Sequence, residues 1–161
     1  MRTFTTMTLA IEILGLAGLG MAADPIIGTW RLNLSQSKFS AASSEMIDPR
    51  PKLHIETYRE IEDRIEVSGT VTRLDGFSTS GKLSWPKQGG VVKVENAAVS
   101  DLSIMALLAP GEWLVIAMQD GRQVATRRKV ISKDGKTMRQ TVRSFASDGK
   151  PIEQVEVYDR Q

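Results

Sequence analysis

The sequence contains no cysteine and a single histidine, His54. The absence of cysteine excludes disulfide bonds, thiolate metal sites, thiol nucleophiles and a lipid-modified N-terminal cysteine. A Ser-His-Asp arrangement needs a histidine held between two partners, and no nucleophile-elbow sequence is present to supply one of them. We therefore interpret His54 as a surface or cavity-lining strand residue, and the sequence identifies no catalytic residue.

The sequence also lacks a large excess of charge of one sign, since it contains 21 basic and 19 acidic residues and has a net charge of +2. The one basic run, Arg127–Lys129, would alternate between the two faces of a strand, so we predict a solvated surface rather than a nucleic-acid-binding stripe. The sequence lacks Walker, Rossmann, zinc and EF-hand patterns as well. These absences predict no cofactor, no metal and no nucleic-acid partner.

Acidic residues are concentrated in one short stretch, where they alternate with Arg59 and Arg64. Opposite charges at such spacing are typical of cross-strand pairs on the solvated face of a hairpin. A paired-carboxylate hydrolase or an oxygen-ligand metal site is the alternative interpretation. The acidic residues are Glu56, Glu60, Glu62, Asp63 and Glu66.

The first two dozen residues have the layout of a secretory signal peptide. Residues 1–3 include the positively charged Arg2, residues 7–23 are mostly apolar, and small residues at Gly20 and Ala22 suit cleavage after Ala22. An amphipathic N-terminal helix that stays on the mature protein is the alternative. The layout favours export.

A long hydrophobic run is absent, since Glu12 interrupts the apolar stretch and leaves residues 13–23 unbroken. This run is shorter than the roughly 20 residues that a helix needs to cross a bilayer. We therefore predict a signal peptide at 1–22, a single domain at 23–161, and no stable membrane anchor. The expected location is periplasmic or secreted.

Turn residues recur with a regular spacing through the rest of the chain. The dipeptides Asp120-Gly121, Asp134-Gly135 and Asp148-Gly149 are 14 residues apart, and segments rich in Val, Ile, Thr and aromatics flank each of them. Asp-Gly favours the positive φ angles of tight hairpin turns. Upstream, Asp75-Gly76 and Gly89-Gly90 continue the rhythm, which predicts an antiparallel meander.

The meander should contain about ten strands, and closure into an up-and-down barrel of eight to ten strands would remove the two free edges. A two-sheet β-sandwich is the alternative. Residues 34–51 are predicted to form a long loop across one barrel end, and 101–108 would be either a strand or a short helix. The predicted strands lie near residues 27–33, 52–59, 64–73, 77–85, 91–95, 102–107, 112–119, 123–131, 137–145 and 152–158.

Alternation of polar and apolar residues supports several of these strands. Leu53 and Ile55 share one face while His54 and Tyr58 share the other, which indicates one packed face and one that is wet or lines a cavity. Residues 113–118 have no polar face. We therefore expect that strand to be covered on both sides, on one of them by residues 100–110.

The start of the predicted mature chain carries a Gly-x-Trp motif, Gly28-Thr29-Trp30, and resembles the opening strand of lipocalin and wider calycin barrels. The chain is similar to exported bacterial lipocalin-like proteins of undefined function. The resemblance implies a calycin-like barrel whose base is closed by Trp30 under a stacked basic side chain, with Arg160 the best match and Arg143 the second. The segments that carry it are 24–33, 35–39, 132–137 and 157–160.

A barrel of this size can hold one small ligand. The candidate ligand-binding residues are Tyr58, Trp85, Trp113 and Met118, for which the alternative role is plain core packing. The resulting hypothesis is an exported protein that binds a small, largely apolar ligand in the barrel. The alternatives are a barrel enzyme that uses cavity carboxylates, Tyr58 and arginines, and an envelope structural or interaction protein with a filled barrel.

Overall fold

The computed structural model describes residues 23–40, 51–94, 100–146 and 148–161. The predicted signal peptide at 1–22 and most of the predicted loop, residues 41–50, lie outside the described residues. Within the described ranges no helix has the length and hydropathy that a membrane span requires. The strands are β1 (Gly28–Leu32), β2 (Pro51–Ile61), β3 (Arg64–Arg73), β4 (Ser78–Pro86), β5 (Gly89–Lys93), β6 (Leu102–Ala109), β7 (Glu112–Gln119), β8 (Arg122–Ile131), β9 (Thr137–Phe145) and β10 (Pro151–Arg160).

The ten strands form one antiparallel sheet in the order β4-β3-β2-β1-β10-β9-β8-β7-β6-β5. Apart from β4 and β5, strands that are consecutive in the chain pair with each other, and β1 pairs with β10 to bring the two ends of the meander together. The edge strands β4 and β5 lie side by side without hydrogen-bonding to each other. The predicted all-β, up-and-down architecture is therefore confirmed as a nearly closed barrel, and the sandwich alternative is not.

Local turn chemistry accounts for the hairpins. At the β7–β8 turn, Asp120 and Gly121 have φ angles of 50° and 73°, the pair of positive values that a two-residue type I′ hairpin requires. The segment predicted as either strand or helix is the strand β6, which pairs with β5 on one side and β7 on the other. Neighbouring ladders on both edges satisfy its backbone groups in the extended form.

One expectation about β7 was wrong. The preceding segment does not cover a face of β7, because β6 hydrogen-bonds to its edge. Side chains of β7 alternate instead, so Trp113, Val115 and Ala117 are buried inside the barrel while the intervening residues are half-buried on its outer surface. The described part of the predicted loop, residues 34–40, also differs from expectation, since Lys38 pairs with Val155 and the segment runs along β10.

The end of the barrel around Trp30 is closed. The Trp30 side chain is fully buried, and its Nε1 donates a hydrogen bond of 2.7 Å to the carbonyl oxygen of Ile26. The Arg160 guanidinium lies over the Trp30 ring, 4.2 Å from its centroid. Such cation–π stacking is worth about 0.5–2 kcal/mol. The stack has the form that the resemblance implied, with Arg160 rather than Arg143.

The same guanidinium ties three segments together at this end. It donates hydrogen bonds of 2.6–2.7 Å to the carbonyl oxygens of Pro25, Ile27 and Gly135. Gly28 has a φ of 140°, and a Cβ at this position would overlap Nη1 of Arg160. Gly28 therefore leaves the space in which the guanidinium reaches its carbonyl partners. Arg143 lies elsewhere, paired with Glu153 on the exposed surface.

Candidate functional site

The barrel encloses a cavity of about 750 Å³, within the size range of small-molecule sites. Ile26, which is almost fully buried, lines it at the closed end. Arg122 and Phe145 also line the cavity and are exposed near the turns at the opposite end. The cavity therefore extends through the barrel from its closed end to these turns.

The cavity wall has a mainly apolar part and a mainly polar part. Strands β3, β4 and β7 contribute apolar side chains, β2, β8 and β10 contribute mainly polar and charged ones, and β6 and β9 contribute both kinds. A small molecule inside would meet both surfaces at once. The main apolar contributors are Val67, Leu83, Trp85, Met105, Trp113 and Val115, and the main polar ones are Glu56, Tyr58, Arg127, Lys129, Gln140 and Glu156.

A buried ion pair lies at the centre of the polar wall. Lys129 Nζ is 2.8 Å and 3.2 Å from the two carboxylate oxygens of Glu56, and it also donates to the hydroxyl of Tyr58. The Tyr58 hydroxyl in turn donates a hydrogen bond of 2.6 Å to Glu56. Both charged side chains are about nine-tenths buried, so the strength of the pair depends on these hydrogen bonds compensating for lost hydration.

The pKa values of Glu56 and Tyr58 are shifted in opposite directions. Burial alone would raise the pKa of Glu56, but the Lys129 ammonium, His54 and the donated hydrogen bonds together outweigh burial and lower it to about 2. Burial, followed by the charge of Glu56 and the hydrogen bond to it, raises the pKa of Tyr58 well above its usual value. Near neutral pH the carboxylate therefore stays ionised and the phenol stays protonated.

Glu156 is the centre of a second polar cluster. One carboxylate oxygen accepts hydrogen bonds of 2.7 Å from Gln140 Nε2 and from the Tyr158 hydroxyl, and the other accepts one of 2.8 Å from Gln154 Nε2. Burial first, and then the charges of Glu156 and Glu56, raise the pKa of Tyr158 well above its usual value. Three neutral donors therefore hold this carboxylate in a fixed orientation.

His54 connects the two clusters. Its Nδ1 is 2.9 Å from the Tyr158 hydroxyl oxygen, and since the phenol gives its hydrogen to Glu156, Nδ1 must carry the hydrogen that it shares with Tyr158. The other ring nitrogen, Nε2, is 3.6 Å from a carboxylate oxygen of Glu56. A continuous polar chain thus runs across the wall from Lys129 to Glu156.

Three of the four candidate ligand-binding residues line the cavity, and Met118 does not. Tyr58, Trp85 and Trp113 form a row of edge-to-face contacts, with ring centroids 6.2 Å and 5.9 Å apart. Met118 is half-buried on the outer surface, because it follows Ala117 on a strand whose alternate residues point inward. Its apolar character indicated burial but not the side of the sheet on which it lies.

Sequence reasoning missed the charged residues of the interior. Glu56 was predicted to belong to a solvated set of hairpin pairs, but it is buried against Lys129. The basic run does alternate between faces as expected, since Arg128 points outward to Glu112 while Arg127 and Lys129 line the cavity. The signal in the sequence was this alternation, which shows which residues share a face but not which face is inside.

The described part of the chain brings no group of three or more His, Asp or Glu side chains together in a way that could hold a metal ion. Many of the polar side chains of the cavity bind one another, but three fully buried atoms of its wall do not take part. These are the side-chain oxygens of Gln140 and Gln154 and the indole nitrogen of Trp85, which are buried without a hydrogen-bond partner among the described residues. The cavity wall therefore carries both fixed charges and polar atoms that no described residue pairs.

No protein-family model matches the chain, and no curated protein matches its sequence. Solved structures do match. The zebrafish ileal bile acid-binding protein, solved in complex with cholic acid, is 9% identical with a TM-score of 0.53, and the match covers 85% of this chain and 99% of that one. An S-type phycobiliprotein lyase from Guillardia theta is 9% identical with a TM-score of 0.50, covering 85% and 89%. At these identities the likeness concerns the fold, a calycin-like β-barrel.

Proposed function

We propose that the protein binds a small, largely apolar molecule inside the barrel. The observation that carries the proposal is the cavity of about 750 Å³, with an apolar wall that includes Trp85 and Trp113. Burying a ligand against this wall gains about 25 cal/mol for each Å² of apolar surface removed from water. The polar wall adds a small number of oriented groups that fix the ligand's position, as in other small-molecule sites.

The structural neighbour from zebrafish supports a binding role for this architecture, since it is a bile acid-binding protein solved with cholic acid. A filled barrel that acts only through its surface is less consistent with the structure, because the interior cavity is large. An interior filled by side chains would leave few voids larger than a water molecule. The open interior therefore favours binding over a purely structural role.

Enzymatic use of the cavity is less favoured than binding because of the protonation states of one carboxylate and two tyrosines in and next to its wall. General acid–base catalysis works best when the pKa of the catalytic group lies near the working pH. The pKa of Glu56 lies at about 2, and those of Tyr58 and Tyr158 are raised well above 10. Near neutral pH the carboxylate therefore stays ionised and the two phenols stay protonated. Groups that do not exchange protons suit the binding of a ligand better than acid–base catalysis.

Binding to an uncharged fluorescent dye, N-phenyl-1-naphthylamine, tests the proposal. The variant Val115→Phe places a larger side chain in the cavity, whereas Ile116→Phe adds the same ring next to it on the outer surface of β7. We expect dye affinity to fall about tenfold or more in Val115→Phe, equivalent to about 1.4 kcal/mol, and to stay unchanged in Ile116→Phe. Equal affinity in both variants, or no dye binding to the parent, would contradict the proposal.

We further propose that the mature protein is exported and begins at Ala23. The order of a basic start, an apolar stretch and small residues before Ala23 supports this location,. Mass spectrometry of the protein expressed in an export-competent host should show a chain that lacks residues 1–22. An intact Met1 on the exported protein would contradict it.

A further inference from the structure

Two buried acceptor atoms in the cavity wall have no partner among the described residues. The side chains of Gln140 and Gln154 are 3% and 5% exposed, and both line the cavity. Their Oε1 atoms accept no hydrogen bond from the residues that the structure describes. A buried polar atom without a partner costs about 1–3 kcal/mol, so a ligand that supplies a donor gains by satisfying it.

The orientation of both amides follows from chemistry. Each side chain donates from Nε2 to Glu156, at 2.7 Å from Gln140 and 2.8 Å from Gln154. A carboxylate can only accept hydrogen bonds, so flipping either amide would set oxygen against oxygen. The two Oε1 atoms are therefore fixed as acceptors, and no described residue donates a hydrogen bond to them.

The charge of the wall indicates which kind of donor fits. Two carboxylates, Glu56 and Glu156, and three cations, Arg122, Arg127 and Lys129, line the cavity. Arg122 is exposed at the end opposite Trp30, so the formal charges of the other four groups, which lie deeper in the wall, cancel. A charged ligand group would add an unbalanced charge to a largely dehydrated space, which is costly. A hydroxyl group brings a donor without a charge, and its oxygen can accept from the unpaired Nε1 of Trp85.

We propose that the ligand is an uncharged hydroxylated amphiphile whose hydroxyl groups donate to Oε1 of Gln140 and Gln154. This inference rests on the proposed function, because it names the chemical class of the molecule bound in the same cavity. The apolar part of the ligand packs against the wall that contains Trp85 and Trp113. Hydroxyl donors, rather than apolar surface alone, then set its specificity.

A series of ten-carbon probes tests this class on the unmodified protein, by displacement of N-phenyl-1-naphthylamine. Decane-1,2-diol carries two hydroxyl donors, methyl decanoate carries acceptors only, and decylammonium and decanoate carry opposite charges. Each hydrogen bond contributes about 0.5–1.5 kcal/mol net. We therefore expect the diol to bind about tenfold more tightly than the ester, and more tightly than either charged probe.

The variants Gln140→Met and Gln154→Met remove one acceptor each. We expect each to weaken diol binding about fivefold, the effect of one hydrogen bond, while ester binding changes less than about twofold. Gln119→Met is the matched control, because Gln119 also has an unpaired buried Oε1 but does not line the cavity. Each cavity variant also removes a donor to Glu156, and ester binding reports whether the barrel has kept its shape.

The outcomes separate this inference from the proposed function. Tighter binding of the diol that is lost in the cavity variants supports the inference. Equal binding of all probes, or tighter binding of a charged probe, overturns it while leaving a binding role intact. If the dye binds but no probe displaces it, the inference is also overturned and a binding role remains. If the dye itself does not bind, both proposals are overturned. The probe series gives its answer even if a variant does not fold.

Discussion

Replacing Glu56 by glutamine tests whether the buried pair with Lys129 makes the barrel sensitive to acid. Burial, the largest single influence, would raise the pKa of Glu56, but Lys129, His54 and the hydrogen bonds together lower it from 4.5 to about 2. A carboxyl group with a lower pKa in the folded state stabilises the fold fully above its unfolded pKa. That contribution is lost as the pH falls from about 4.5 towards 2.

The expected size follows from the shift. A change of roughly 2.5 pH units corresponds to about 3 kcal/mol in total, at about 1.4 kcal/mol per unit. At pH 3.5 roughly ten of every eleven unfolded molecules would carry a protonated Glu56, while the folded molecules would keep it ionised. The free energy of unfolding should therefore fall by about 1 kcal/mol because of this residue between pH 5.5 and pH 3.5.

Urea unfolding followed by tryptophan fluorescence measures this difference at constant ionic strength. Between pH 5.5 and pH 3.5 the parent should lose about 1 kcal/mol more than Glu56→Gln, since the other carboxyl groups are shared by both proteins. The control Glu153→Gln removes an exposed carboxylate that pairs with Arg143, and it should follow the parent. Parallel pH curves for the parent and Glu56→Gln would refute the assigned shift.

Two further predictions concern the ion pair and the closed end. Lys129→Met leaves the buried Glu56 without its counter-ion and should lower the free energy of unfolding by about 3–5 kcal/mol. The double variant, with methionine at both positions, should lose less. Equal losses for the two variants in urea unfolding would contradict the coupling. Gly28→Ala adds a methyl group against Arg160 at positive φ, and it should lower the free energy of unfolding by about 1–3 kcal/mol. The control is Gly81→Ala, where the added carbon meets open space. It should change the free energy of unfolding by less than about 0.5 kcal/mol. Equal melting temperatures for the two alanine variants would argue against the packing of Arg160.

The strands were predictable from sequence because hairpin turns depend on a few adjacent residues. Asp120-Gly121 specifies a tight turn wherever it stands between two strand-forming segments, and the structure has both φ angles positive there. The gap in the barrel was not predictable in this way. Gly89-Gly90 was predicted to be a turn, but the turn lies at Lys87 and Gln88 and both glycines belong to β5. Whether β4 and β5 then hydrogen-bond depends on the curvature of the whole sheet.

The site was predictable only where residue type and burial agree. Tyr58, Trp85 and Trp113 line the cavity, whereas Met118 lies on the outer surface. The position of Met118 was not predictable, because an all-apolar strand gives no indication of which side faces inward. The interior ion pair had no local signal, since Lys129 follows Glu56 by 73 positions. Each charge by itself resembles a surface residue, and only the fold brings the two together.

The unpaired boundary between β4 and β5 gives the barrel one seam. The two strands are joined by a two-residue turn, Lys87 and Gln88, near the closed end, and they share no ladder beyond it. Everywhere else, parting the wall would break backbone hydrogen bonds, which are expensive to leave unmade. Separating β4 from β5 along this line would break no ladder hydrogen bond, so a wider interior costs less free energy here than at any paired boundary of the barrel.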